Sequence, residues 1–327
     1  MIPSQKTGLA GIVIRMVRRM KWIAIARGHA MPEHMTASIG DGFDQSARDA
    51  VYRAVFTRRD VRSHFLPTAL DDDVLARLLL AAHHAPSVGF MQPWNFIVIR
   101  DAGRREKVRD LFLAAREQEL PAIGEERQAL YRKLKLEGIC ESALNICITC
   151  DRQRSKGSPL GRWHNPEMDL YSTVCAVQNF WLAARAEGVG VGWVSIIEAQ
   201  ALKSLLSIPE HVTPVAYLCV GRVSEFAPKP DLEAHGWGRR LPLPELIMSE
   251  TFSGQGEAPL KSTVARLNGA DAAPATAAGQ PVAPAVPQRE PPKEASALSL
   301  SSLNFDDASA SRASQAGSGT WPSMVPK

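Results

Sequence analysis

The stretch MDLYSTVCAVQNFWLAARAE, residues 168–187, most constrains how this chain folds. It reads as a helix of about five turns, apolar around most of its circumference. A helix that apolar is not stable on a solvated surface. It is expected at the centre of the fold or in a dimer interface. Gly188 follows it and reads as the left-handed residue that closes the helix.

The glycines that come next, GVGVGW at 188–193, look like a dinucleotide-binding loop in the wrong context. Such a loop leaves a strand and opens a helix, whereas this one leaves a helix and enters a strand. They are read instead as a helix cap followed by close backbone packing. Upstream, SARDAVYRAVFTRR has helical spacing at Val51, Ala54 and Val55. LDDDVLARLLLAAHHAPS is a stronger helix: aspartates cap its start, Val74, Leu75, Leu78, Leu79 and Ala82 line one face, and Pro86 ends it. Further helices are expected at 104–118 and 124–137, with a short one at IEAQALKSLL. NFIVIR, LNICIT, VGWVSI and PVAYLCVG read as strands. Helices and strands intermingle without strict βαβ alternation, which favours an α+β fold over a doubly wound sheet.

Composition divides the chain in three. Residues 1–43 form a leader in which Arg15, Arg18, Arg19 and Lys21 interrupt the apolar residues, unlike a secretory signal. A poorly ordered leader is expected, an amphipathic surface helix being the alternative. Residues 44–253 carry the regular apolar pattern. From about Gly254 to residue 327 the chain turns to Ala, Pro, Ser and Gly and is expected to be disordered. No run of 18 apolar residues is present, so no membrane span is expected. A net charge of +4 suits anionic small ligands and does not argue for nucleic acid. Five cysteines, an odd number with no disulfide spacing, point to a reducing cytoplasm. Cys147 and Cys150 lie three apart on a strand and so face opposite ways, as core thiols and not as a metal site.

Four segments carry the candidate chemistry. In TRRDVRSHF, Arg58, Arg59 and Arg62 surround Asp60. Cations are favoured at a helix C-terminus in any case. A second basic site, Arg240 in HGWGRRLPL, favours guanidinium forks from two segments converging on one phosphate. In HAPSVGFMQPWNF, Pro86, Ser87 and Gly89 are turn formers with backbone N–H groups for a ligand, and Gly89 lets a planar ring approach. Trp94 and Phe96 read as core. VGVGWVSI ends in Ser195 without a GxSxG context, so no acyl-enzyme is expected.

In order and wording, RRDVRSHF, HHAPSVGFMQPWNF, YRKLKLEGI, the 168–196 stretch and GWGRRLPL resemble the flavin-dependent nitroreductase superfamily. The resemblance covers residues 44–253 and is narrowest to the branch that destroys its flavin. It implies an α+β fold, a mixed sheet flanked by helices, and an entwined homodimer with FMN at the subunit interface. Arg58, Arg62 and Arg240 would hold the FMN phosphate, with Arg59 beside them. Pro86, Ser87, Gly89 and Gln92 would line the flavin, with Lys135 near the ligand. No metal is implied. Asp60 stands where ordinary nitroreductases usually carry serine, and Phe90 where they carry asparagine. Gly238, with Arg239 beside it, departs from a position that is usually basic.

The branch implies that FMN is consumed. Reduced FMN and O2 would give 5,6-dimethylbenzimidazole, the lower ligand of vitamin B12, and erythrose 4-phosphate. With no dinucleotide loop in the chain, a separate flavin reductase would supply the reduced flavin. Neighbouring arginines favour the ionised form of Asp60, as a general base or proton relay near the ribityl chain, and Ser195 would position or pass a proton. The bland alternative for Asp60 is a salt bridge that merely orients arginines. Two other functions compete: an NAD(P)H-dependent nitroreductase or dehalogenase that recycles FMN, and a non-catalytic flavin-binding protein.

Overall fold

A computed structural model describes residues 42–154, 160–254 and 256–268. Nearly all of the leader and most of the tail lie outside the described residues. The chain divides into two compact units, Met1–Leu246 and Ile247–Lys327.

In the first unit the elements run α1 Gln45–Thr57, α2 Asp72–His83, β1 Trp94–Ile99, α3 Ala102–Glu119, α4 Glu125–Lys133, β2 Leu144–Asp151, α5 Met168–Ala186, β3 Val189–Val194, α6 Ala199–Leu206, β4 Val212–Arg222 and α7 Asp231–Ala234. The strands form one sheet in the order β1-β2-β4-β3, every neighbouring pair antiparallel. The mixed sheet expected from the resemblance is therefore corrected. Among the described residues, parallel pairing is confined to a single bridge, Asp60 to Val191. The helical excursions between β1 and β2, and between β3 and β4, bring the chain back beside the strand it left. Both pairs are antiparallel, unlike the parallel pairing that a helical crossover usually makes.

Helices cover both faces of the sheet. Ile146 and Ile148 of β2 join Leu78 of α2 and Phe180 of α5 in one core. Cys147, one residue out of phase, joins Val108 and Phe112 of α3 and Leu202 of α6 in the other. A central strand buried on both sides has no polar face, which is why LNICIT is almost uniformly apolar. The same alternation puts Cys150 on the α5 side, where Thr173 bonds its thiol. Burial pushes the Cys147 thiol up to about 12, so it stays protonated at neutral pH.

α5 occupies the centre. Ala176, Val177, Phe180 and Ala184 are fully buried, while Tyr171 and Val174 remain exposed. Gly188 closes the helix at φ +68°. Just before it, Glu187 accepts a two-pronged ion pair from Arg77 of α2, at 2.6 and 2.9 Å. That hydrogen bond holds the Glu187 carboxyl below its ordinary 4.5. A carboxyl lowered in the folded state contributes stability above its unfolded pKa, and that stability is lost as pH falls through the folded value. Glu187→Gln should therefore flatten the acid side of a plot of Tm against pH below about 5. An unchanged acid slope would show that the pair does not stabilise the fold.

Two boundaries differ from the sequence reading. The second charged helix stops at Lys133 and does not reach 137. Leu134 turns extended, and Arg116 takes the Tyr131 and Leu134 carbonyls at 2.8 and 3.1 Å, satisfying the open helix end. In the second unit, the tail expected to be disordered from Gly254 opens with a helix, α8, at Ala258–Leu267. Pro259 sits in its first turn, and Leu260, Val264 and Leu267 share one face.

Candidate functional site

The site begins where α1 ends. Arg58 leaves the helix at ψ 136°, its N–H still bonded to the Ala54 carbonyl at 3.1 Å. The chain then runs extended along β3, with the Val61 N–H donating to the Val191 carbonyl at 2.9 Å. So close an approach depends on the glycines of GVGVGW. A Cβ on Gly192 would collide with the Val61 carbonyl oxygen and lie 3.1 Å from its carbon. One on Gly190 would collide with Val223 and crowd the Val61 side chain. The tight packing inferred for these glycines is thus their role here.

Asp60 sits at the join. Its Oδ2 accepts from Arg62 Nη2 at 2.7 Å, and its Oδ1 accepts from the Trp193 backbone N–H at 2.9 Å. Ser195 follows two residues later, exposed just past the end of β3. The carboxylate therefore ties the arginine segment to the strand end that carries Ser195.

The arginines separate into two sets. Arg62 is 13% exposed, and its Nε and Nη1 are buried without a hydrogen-bond partner among the described residues. A buried guanidinium with open donors is costly unless something accepts from them. The Arg58 guanidinium lies over the Trp181 ring, 4.6 Å from its centroid, and donates to no described residue. Burial lowers its pKa most; Asp60 opposes this, while Arg59 and Arg240 add to it. Arg58 and Arg240, 182 positions apart in sequence, are thus near enough to repel each other. The Arg240 loop is held by Trp237, over which the Arg127 guanidinium stacks at 3.9 Å.

Arg59 belongs to the other set. Its guanidinium donates to the carbonyls of Ala227 at 3.0 Å, Phe56 at 2.9 Å, Arg58 at 2.8 Å and Pro228 at 2.7 Å. Its donors are thus engaged by backbone, whereas Nε and Nη1 of Arg62 stay open. Four Arg59 N–H groups hold backbone, and the side chain clamps Ala227 and Pro228 to the end of α1. Lys135 is also engaged, by Glu141 and by Glu137 Oε1 at 3.9 Å. Its segment lies beside the site, since a Cβ on Gly138 would come 3.2 Å from the Arg62 carbonyl oxygen.

The loop from Pro86 to Gln92 is shaped by internal bonds. Ser87 Oγ accepts from the Gln92 N–H at 3.1 Å, and Ser172 Oγ of α5 accepts from the Val88 N–H at 3.2 Å. Gly89, Phe90 and Gln92 have φ of +60°, +53° and +46°. Two of these are not glycine, so the backbone stores strain that the surroundings must hold. Arg154 helps: its Nη1 donates to the Gln92 and Trp94 carbonyls at 2.7 and 2.8 Å. Phe90 is 82% exposed at the loop tip, whereas Trp94 is core as expected.

Sequence reasoning missed several supports. Arg185 of α5 donates to the Thr57 carbonyl at 3.1 Å and stacks over Phe226. Asp169, buried at the start of α5, takes Arg152 at 3.0 Å and Arg162 at 2.7 Å. An acid opening so apolar a helix was a visible signal for that ion pair. Arg154 and Arg185 had none. Among the described residues, no group of three or more His, Cys, Asp or Glu is placed to hold a metal ion. No described helix is long and apolar enough to cross a membrane.

Residues 55–222 match the Nitroreductase family, a stretch holding every candidate residue above except Arg240. A 5,6-dimethylbenzimidazole synthase from Rhodospirillum rubrum is 43% identical over 205 residues, covering 63% of this chain and 97% of that protein. Another from Rhodobacter capsulatus is 39% identical over 201 residues, covering 61% and 96%. A solved structure of oxidized iodotyrosine deiodinase bound to FMN and 3-iodo-L-tyrosine aligns with a TM-score of 0.49 at 18% identity, covering 62% of this chain and 98% of that one.

Proposed function

The chain belongs to the nitroreductase family, and from that premise we propose that it is an oxidoreductase that consumes its flavin. In this reading reduced FMN and O2 give 5,6-dimethylbenzimidazole, erythrose 4-phosphate and an oxidised remnant of the flavin's pyrimidine ring, and the benzimidazole serves as the lower ligand of vitamin B12. The likeness to two 5,6-dimethylbenzimidazole synthases supports it. The observation that carries it is Asp60, a carboxylate bonded at once to a phosphate-type arginine and to the strand end bearing Ser195.

The residues present fit FMN. A phosphate dianion needs several convergent donors. Arg62 offers two buried nitrogens, Nε and Nη1, whose N–H groups are unpartnered, and Arg58 and Arg240 offer forks with no acceptor among the described residues. Pro86, Ser87, Gly89 and Gln92 would line the ring. When bound, reduced FMN supplies both the electrons that reach O2 and the carbon skeleton that is cut. Asp60 then acts as the base. Trp193 and Arg62 fix its orientation, and a free lone pair on its carboxylate takes the proton from a ribityl carbon. Ser195, exposed two residues beyond the Trp193 N–H that holds Asp60, positions or passes a proton.

The functional unit in this proposal is a homodimer. Val51, Tyr52, Val55 and Phe56 are exposed on α1, as are Tyr171 and Val174 on α5. Apolar groups on two helix faces are what a second copy would cover. A separate flavin reductase supplies FMNH2, in a reducing cytoplasm that suits five free cysteines.

Product analysis tests the reaction. Purified protein given FMNH2 and O2 should yield 5,6-dimethylbenzimidazole and erythrose 4-phosphate by mass spectrometry. Intact FMN as the sole flavin product would contradict the proposal.

A further inference from the structure

We propose that Trp181 is the positioning residue for Arg58 and thereby sets the preference of the site for FMN over riboflavin. This rests on the flavin reading above and adds a specificity-determining residue to it. Trp181 lies on α5, 8% exposed, and serves the arginine segment twice. Its indole Nε1–H donates to the Arg59 carbonyl at 3.1 Å, which fixes the backbone where α1 gives way to the extended stretch. Its ring face carries the Arg58 guanidinium 4.6 Å from the centroid, which fixes the side chain.

Arg58 needs such a support. Burial works against its charge, and Arg59 and Arg240 repel it. No hydrogen bond to a described residue orients its fork. The indole face supplies what those neighbours do not: a surface attractive to a cation and specific in direction. An arginine already stacked has lost its rotamer freedom before the ligand arrives, so a phosphate meets a preorganised fork. Trp193 extends the arrangement. Its ring lies 6.2 Å from that of Trp181, while its backbone N–H holds Asp60. Two tryptophans thus hold the phosphate arginine and the carboxylate in one frame. Riboflavin has no phosphate for Arg58 to meet and serves as the internal control.

The test titrates FMN and riboflavin separately into the full-length protein, by quenching of flavin fluorescence. The proteins are wild type, Trp181→Leu, Trp181→Phe, Arg58→Ala, and Arg58→Ala combined with each Trp181 substitution. Trp181→Leu should weaken FMN binding about tenfold and leave riboflavin within about twofold. Trp181→Phe keeps an aromatic face, loses the indole N–H, and should show a smaller FMN-selective loss. Neither substitution should add to the loss in Arg58→Ala. Equal losses for both flavins, or a Trp181 effect undiminished in the Arg58→Ala background, overturns the proposal and leaves Trp181 a packing residue. Should Trp181→Leu fail to fold, Trp181→Phe and its double variant decide by the same criteria. Wild type binding FMN no better than riboflavin would contradict the phosphate reading itself, before any substitution, and the Trp181 proposal falls with it.

Discussion

Asp60→Asn should cut benzimidazole formation by about 10²–10⁴-fold, the range expected when a general base is removed, while FMNH2 still binds. The amide keeps an oxygen for the Trp193 N–H and nearly the same volume, so the join between the arginine segment and β3 survives. What disappears is the basic oxygen and the charge facing Arg62. The measurement is benzimidazole per protein by mass spectrometry, beside a flavin titration. Full production with normal binding would remove the base role. Lost flavin binding in a folded variant would instead assign Asp60 to orienting Arg62, the bland salt-bridge role.

The second large effect is structural. Gly192→Ala should destabilise the domain by about 3 kcal/mol or more, lowering Tm by roughly 6–12 °C for a domain of about 200 residues. The added Cβ meets backbone, the Val61 carbonyl, and not the tip of a flexible side chain. Either the 58–62 stretch must lift off β3 or the strand must shift. Both break the Val61–Val191 hydrogen bond, and both move Asp60 away from the Trp193 N–H. Flavin binding should weaken along with stability. Gly238→Ala is the control: a Cβ there meets nothing within 4 Å, and the expected change is within about 0.5 kcal/mol. A normal Tm for Gly192→Ala would contradict the close approach on which the site is built.

How much of this was legible in the sequence depends on how local each cause is. The apolar helix, its Gly188 cap and the tight glycines were readable because one short stretch dictates them. Strand direction was not, because a period of two sets which face a residue takes and says nothing of its partner. The sorting of the arginines was half legible. On an extended stretch, Arg58, Asp60 and Arg62 fall on one side and Arg59 on the other. That alternation, applied to TRRDVR, would have set Arg59 apart from Arg58 and Arg62. Its actual partners, the Ala227 and Pro228 carbonyls, lie far along the chain and leave no local trace. The α8 helix was hidden by averaging a short amphipathic stretch into a long Ala/Pro-rich tail. Trp181 was hidden by its ordinariness, since a buried tryptophan in an apolar helix looks like core until its ring is seen under an arginine.

Reoxidation tests the account most directly. Load the protein with FMN, reduce it without oxygen, then admit air and follow the yellow absorption of the flavin. The account predicts that the band fails to return in full while 5,6-dimethylbenzimidazole accumulates in its place. Complete return of the band with no benzimidazole would mean that the flavin is recycled and that Asp60 does not make it a substrate.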